Sequence, residues 1–287
     1  MIPQERAASV EAWARELILT RSLAAKLEPP APPQRWEERP LPCRIASPGR
    51  PLELRPARRG RSAPDDLTSP SARAKLLHTF FHHELQAAEL MCWALLAFSD
   101  AEPSFRQGLL GICLDELRHL RGYRAEIERL GFHIGEFAVR DWFWQRVPQC
   151  ANKIEFVALM GMGLEAANLE HAPLFGERLA AAGDARSAEL QARIAQEELG
   201  HVRFAVHWFE RWTGGLSFAR WRAALPEPLS PLMMRGKRFD RAARLRAGMR
   251  EPFLSQLECW REDADTTAGG APTTDTGDGQ RRERRIP

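Results

Sequence analysis

The sequence predicts an all-α fold centred on a four-helix bundle, and three observations carry that prediction. Between residues 71 and 215, apolar side chains recur at helical spacing, with helix start and stop signals at the ends of each run. The runs form two pairs, each joined by about three residues, and a link of roughly twenty residues joins the pairs. Strand signals are weak throughout.

Taken in order, residues 1–70 begin with an amphipathic helix over about residues 9–26, followed by a Pro- and Arg-rich stretch from Pro29 to Pro64. That stretch has turn residues and no sustained period, so it is expected to wrap the surface as extended chain. The first long helix runs from Ser71 to Phe98, with Ser69 as cap and Pro70 at its first position. Asp100 opens the second, which carries Pro103 in its first turn and ends before Gly131. The third starts near Asn152, is kinked by Pro173 and ends before Gly183; the fourth is capped by Asp184 and runs to Trp212, stopping at Gly214-Gly215. A fifth helix, over about residues 238–257, follows a Pro-rich link, so residues 216–262 read as a helical extension packed on the bundle. The tail 263–287 is almost devoid of large apolar residues and is expected to be disordered. Short loops force each helix pair into an antiparallel hairpin, and the link 131–151 is long enough to cross the bundle. Two hairpins joined by one crossover is the ferritin-like arrangement.

Composition narrows the function classes. Hydrophobic residues make up 44% of 287, enough for a packed core, and 41 Lys+Arg against 38 Asp+Glu demand no nucleic-acid partner. Much of the basic surplus sits in two patches, Arg55 to Arg61 and Arg281 to Arg285, which read as solvated ends. No apolar run is long enough to span a membrane, and the start lacks the pattern of a signal peptide. The five cysteines are scattered without a Cys-x-x-Cys, as expected of buried thiols in a reducing cytoplasm.

The two hairpins are duplicates. Glu84 and Glu89 recur in the second as Glu165 and Glu170, and Glu116 and His119 recur as Glu198 and His201, at intervals that agree to within a single position. Glu84 and Glu116 lie equally far on either side of a turn centred at position 100. Glu165, Glu198 and His201 lie at nearly that same distance from a turn at position 183. At about 1.5 Å per residue, all six groups share one height in the bundle. They also share core stripes: Leu77, Phe81, Ala88, Met91 and Leu95 with Glu84; Leu109, Ile112, Tyr123 and Ile127 with Glu116 and His119; Ile194, Val202, Ala205 and Phe209 with Glu198 and His201. The stripe around Glu165, through Ala158, Met162, Asn168, Leu169 and Ala172, is less regular.

Four carboxylates in one core stay ionised only against compensating cations, and two divalent metals supply them. One Glu from each of two helices plus Glu-x-x-His from each of the other two is the ligand set of dimetal carboxylate bundles. The expected ligands are therefore Glu84, Glu116, His119, Glu165, Glu198 and His201, with Glu116 and Glu198 bridging. Mixed carboxylate and imidazole donors suit two iron ions, manganese, or a mixed pair. Six protein groups leave open positions on two ions, where dioxygen or peroxide would bind.

Other residues take supporting roles. Glu89 and Glu170 lie about 140° around their helices from Glu84 and Glu165, which favours hydrogen bonding behind the ligands or between helices over ligation. Asp115 and Glu197, about 100° from their neighbours, read as surface groups or as supports behind the ligands. Asn168, one turn from Glu165, is placed to hydrogen-bond a ligand. Tyr123 reads first as a core tyrosine and second as a redox-active one. His82 and His83 read as exposed or supporting rather than ligating, His171 as exposed beside Pro173, and Trp142, Trp144, Trp208 and Trp212 as packing beneath the crossover.

The stretches HHELQAAELMCWALLAF, DELRH, GLEAANLEHAP and EELGHVRF resemble the ferritin-like bacterial proteins grouped as domain-of-unknown-function family 455. The resemblance extends to Pro48 to Pro51 and to RFDRAARLRAG at 238–248, covering most of residues 45–255. It implies the fold and the same six ligands, and leaves the reaction open. More distantly, the spacing is similar to that of rubrerythrins and of the dimetal hydroxylase that modifies tRNA. Rubrerythrins carry a further carboxylate where this chain has Asn168, and a Cys-x-x-Cys module that this chain lacks.

The leading expectation is a dimetal oxidoreductase of the oxidase or hydroxylase type, activating oxygen or peroxide against a small-molecule substrate with an external electron donor. The alternatives are a ferroxidase or metal-handling protein forming a homo-oligomer, and a non-catalytic helical scaffold with a structural metal whose basic patches bind a partner such as nucleic acid.

Overall fold

Two long helical hairpins carry the structure, a computed structural model that describes residues 7–57, 64, 66–236 and 238–261. The tail 263–287 and most of the two basic patches fall outside the described residues. Among those residues the fold is all-helical; the one β contact is an isolated bridge between Pro56 and Val139. No helix is long and apolar enough to cross a membrane.

Helix α1 spans Val10–Leu19, with Ser9 accepting from the Ala12 amide, and α2 spans Leu23–Leu27. The single helix expected over 9–26 is broken, because Lys26 Nζ donates to the carbonyls of Leu17 and Ile18 (2.9 and 3.1 Å) while Ser22 caps a new helix. After α2 the chain runs without helix to Ala57. It docks through bonds such as Cys43 N to Leu96 O (2.9 Å) and Trp13 Nε1 to Pro30 O (2.8 Å).

Helix α3, Pro70–Ala97, starts as expected from Ser69 and Pro70. Helix α4 spans Pro103–Arg129; its cap position is Glu102 rather than Asp100, and no side chain closes it. The third long segment begins at Asn152, whose side chain accepts from the Ile154 and Glu155 amides, and is α-helical over Lys153–Phe156 (α5). It widens to a π-helix over Val157–Glu165 and returns to α-helix over Ala166–Ala181 (α6), which continues through Pro173. The widening explains the irregular stripe around Glu165: where amides bond five residues back, as Ala166 N does to Gly161 O, spacing by 3.6 no longer marks a face. Helix α7, Ala185–Thr213, opens on Asp184 and closes on Gly214, whose φ of 75° favours glycine.

Contacts at the helix ends fix the directions. Arg129 at the end of α4 bonds Asp184 at the start of α7 (2.6 Å), and Trp212 at the end of α7 bonds Glu102 at the start of α4 (3.0 Å). Lys153 also bonds Glu102 (3.0 Å), so the third segment starts beside the turn of the first hairpin. The crossover therefore travels the length of α3, bonding His78 from Gly135 N (2.9 Å), Gln86 from Phe143 N (3.1 Å) and Glu89 from Trp144 Nε1 (2.8 Å). Trp208 and Trp212 are not beneath it: they meet Phe105 edge to face at the far end (ring centroids 5.3 and 4.9 Å).

Among the described residues the C-terminal region holds three short α-helices, α8 (Phe218–Ala223), α9 (Arg241–Arg246) and α10 (Phe253–Cys259), and a 3-10 turn at Pro231–Met234. The fifth helix expected over 238–257 is interrupted because Gly248 takes φ 93° and Pro252 then supplies no amide.

On each hairpin a buried carboxylate receives several bonds from an extension. Glu89 accepts from Lys26 Nζ (2.6 Å), Arg50 (2.7 and 2.8 Å) and Trp144. Glu170 accepts from Arg244 (2.7 and 3.2 Å), Asp240 N (3.1 Å) and Gly236 N. The Arg244 side chain is 0% exposed. Removing one partner of such a pair strands the other, so Glu170→Ala is expected to lower unfolding free energy by about 3–5 kcal/mol in denaturant titration. A loss below about 1 kcal/mol would contradict the anchoring role.

Candidate metal centre

The six side chains expected as ligands meet at one depth of the helix pack, all buried. They form two overlapping groups, Glu84, Glu116, His119 and Glu198, and Glu116, Glu165, Glu198 and His201. Within each group one ligand atom per residue lies within 4.8 Å of the others. Glu116 and Glu198 belong to both groups and are 0% exposed.

Both imidazoles turn Nδ1 toward the carboxylates. His119 Nδ1 is 3.3 Å from Glu116 and 3.6 Å from Glu84, and His201 Nδ1 is 3.0 Å from Glu116 and 3.1 Å from Glu198. Their outer nitrogens cross between hairpins: His119 Nε2 meets Glu197 (2.7 Å) and His201 Nε2 meets Asp115 (3.3 Å). Arg118 ties the two supports together, 2.8 Å from Asp115 and 2.7 Å from Glu197. Asp115 and Glu197 thus hold ring orientation and tautomer, the usual work of carboxylates behind metal-bound histidines. Their signal in the sequence is that they repeat together with the ligands.

Asn168 donates to Glu198 Oε1 (3.4 Å). Tyr123 is buried and donates to Gln191 on α7 (3.2 Å), not to a ligand. Glu89 and Glu170 reach no ligand; their oxygens are taken by the extension contacts described above. His82 is buried against Asp141 (2.9 Å), while His83 stacks on Phe143 (4.9 Å) and His171 is half-buried rather than exposed. Of the five free cysteines, Cys92, Cys113 and Cys150 are buried as expected, Cys43 is half-buried and Cys259 is exposed.

The charge balance fits cations. Burial, with Glu116 beside it, drives the Glu84 carboxyl well above the usual range, and burial with Glu198 does the same to Glu165. Burial pushes Glu116 upward too, but hydrogen bonds from Glu84, His119 and His201 outweigh it and hold it well below that range. His119 rises to about 12 despite burial, because Glu116 and Glu84 favour its charged form; Glu198 and Asp115 raise His201 likewise. Glu165 Oε1 is buried without a hydrogen bond, and Glu116 Oε1 has only the His201 Nδ1 contact at 3.0 Å. A buried carboxylate oxygen left unpaired beside imidazole and carboxylate groups is what a coordinated cation would satisfy.

Comparison with known proteins adds the family. Residues 3–255 match the family described as "Protein of unknown function (DUF455)". The chain belongs to that family. It is also similar to a protein of Haemophilus influenzae named "Uncharacterized protein", 28% identical over 144 residues, which cover 47% of this chain and 50% of that protein. The chain thus spans about half the length of the curated relative it matches. No solved structure matches the chain.

Ligation requires these groups to give up protons, so loading should release acid and affinity should rise with pH. Titration of the stripped protein with Fe(II) or Mn(II) in weak buffer is expected to release protons in step with metal uptake. Equal affinity at about pH 6 and about pH 8 would contradict this assignment.

Proposed function

We propose that the chain is a ferritin-like four-helix bundle holding two iron ions, or manganese or a mixed pair, and that it is an oxygen- or peroxide-activating oxidoreductase. The observation that carries the reading is the pair of buried ligand groups sharing Glu116 and Glu198. Two overlapping sets that share two carboxylates suit two adjacent ions bridged by those carboxylates. Four ionised glutamates are also neutralised by two divalent cations, which permits deep burial without bare charge.

In this reading Glu84 and His119 serve one ion, Glu165 and His201 the other. Bound there, the ions supply electron transfer and activation of dioxygen or peroxide. The protein supplies the rest. Glu197 and Asp115 fix the imidazoles, and Arg118 fixes both carboxylates. Asn168 holds Glu198 from the side of a large cavity, and the Phe80 ring, also on that cavity wall, packs on Tyr123 (5.8 Å). Glu84 and Glu165, whose burial favours the protonated form when no cation is beside them, would give up their protons on binding the ions. The cavity of about 980 Å³ next to Asn168 favours an organic substrate over iron handling alone.

The aerobically purified protein should carry about two iron or manganese ions per chain, by elemental analysis. Glu116→Ala and Glu198→Ala should each lose both ions; His119→Ala and His201→Ala should each lose about one. The reduced wild-type protein should consume dioxygen faster than either Glu variant. Equal metal content in wild type and Glu116→Ala, with equal oxygen uptake, would contradict the reading.

A further inference from the structure

The cavity beside Asn168 is lined by residues of α3, α6 and the crossover together with Ala57 and Pro64, with a volume of about 980 Å³. That lies at the upper end of the range for small-molecule sites, which runs from roughly 300 to 1,000 Å³. Its walls are aromatic. Phe80 and Phe175 meet edge to face (5.1 Å), and Phe137 and Trp142 close the crossover side. His83, also on the wall, stacks on Phe143, which in turn touches Trp142 (5.7 Å). Faces and edges of this kind pack best against a flat ring.

The charged groups on the wall are Lys75, Arg140 and Glu136. Glu136 is already engaged, accepting from His133 N (2.6 Å). Among the described residues, neither the Lys75 ammonium nor the Arg140 guanidinium makes a hydrogen bond or ion pair. Arg140 is exposed and Lys75 half-buried, so both free cations can meet a ligand's charged end; the Arg140 carbonyl accepts from Gln86 (3.1 Å), which sets Arg140 farther along α3 than Lys75, and Asn168 marks the wall beside Glu198. A cationic ligand would find aromatic faces here but would meet two uncompensated positive charges. A neutral ring would leave both unused.

We propose that this cavity binds an aromatic organic anion, with its ring among Phe80, Trp142 and Phe175 and its carboxylate or phosphate at Lys75 or Arg140. Binding stands on the cavity alone; only the ligand's role as the substrate oxidised at the Asn168 wall rests on the proposed dimetal reading. The headgroup chemistry is shared by aryl carboxylates and aryl phosphates: planar or tetrahedral oxyanions that accept from a guanidinium or an ammonium.

The test is calorimetry of the full chain with 2-naphthoate, 2-naphthyl phosphate and the uncharged 2-naphthamide, with metal content measured on the same samples. At least one anion should bind about 10-fold or more tightly than the amide, and which one identifies the headgroup. The double variant Lys75→Gln, Arg140→Gln should erase that preference and leave amide affinity unchanged; neither side chain makes a hydrogen bond or ion pair among the described residues, and circular dichroism checks that the fold is kept. Amide binding as tight as both anions, or anion binding unchanged in the double variant, would overturn the proposal. A preparation that holds no metal yet keeps the charge preference would support the cavity site and overturn the dimetal reading instead.

Discussion

Four glutamates and two histidines in one dry layer are a constraint that the rest of the fold must serve. Bare, those carboxylates would cost many kcal/mol to bury. Among themselves they reach balance only by holding protons on Glu84 and Glu165 and charging both imidazoles. Side chains that must converge from four helical segments tolerate no slip in register. Helix ends are accordingly pinned to one another, by Arg129 with Asp184 at one end and Trp212 with Glu102 at the other.

Duplication is used for more than the centre. Glu89 and Glu170 repeat at the same interval as Glu84 and Glu165, yet each faces outward to receive an extension: Lys26 and Arg50 for one, Arg244 and the backbone at 236 and 240 for the other. A hairpin of this kind has two polar stations, one turned to its twin and one turned to its own appended segment. Through Arg50, Asp141 and His82, the outward station of the first hairpin also fixes the crossover that walls the cavity.

Much of this was legible because it is local or periodic. Caps at Ser69, Asn152 and Asp184, the stop at Gly214 and the six side chains that converge all follow from spacing along one helix or between two copies. Contacts between distant segments were not. That His119 would meet Glu197, and His201 Asp115, depends on how the hairpins are rotated against each other, which no interval in the chain records. Lys26 breaks the first helix for the sake of Glu89, 63 residues away. The π-helix that ends at Glu165 runs through mostly buried residues, so its change of pitch showed in the sequence only as an irregular stripe and not as a recognisable period. The cavity, assembled from separate segments with a Lys and an Arg that look like ordinary surface charge, has no sequence signature.

The account stands or falls on two ions sharing two carboxylates. Crystals of the protein loaded with Fe(II) or Mn(II), measured at the metal's absorption edge, test it most directly. Two anomalous peaks are expected between Glu116 and Glu198, about 3.5–4 Å apart, one against Glu84 and His119 and the other against Glu165 and His201. A single peak, or peaks away from these six side chains, would contradict it.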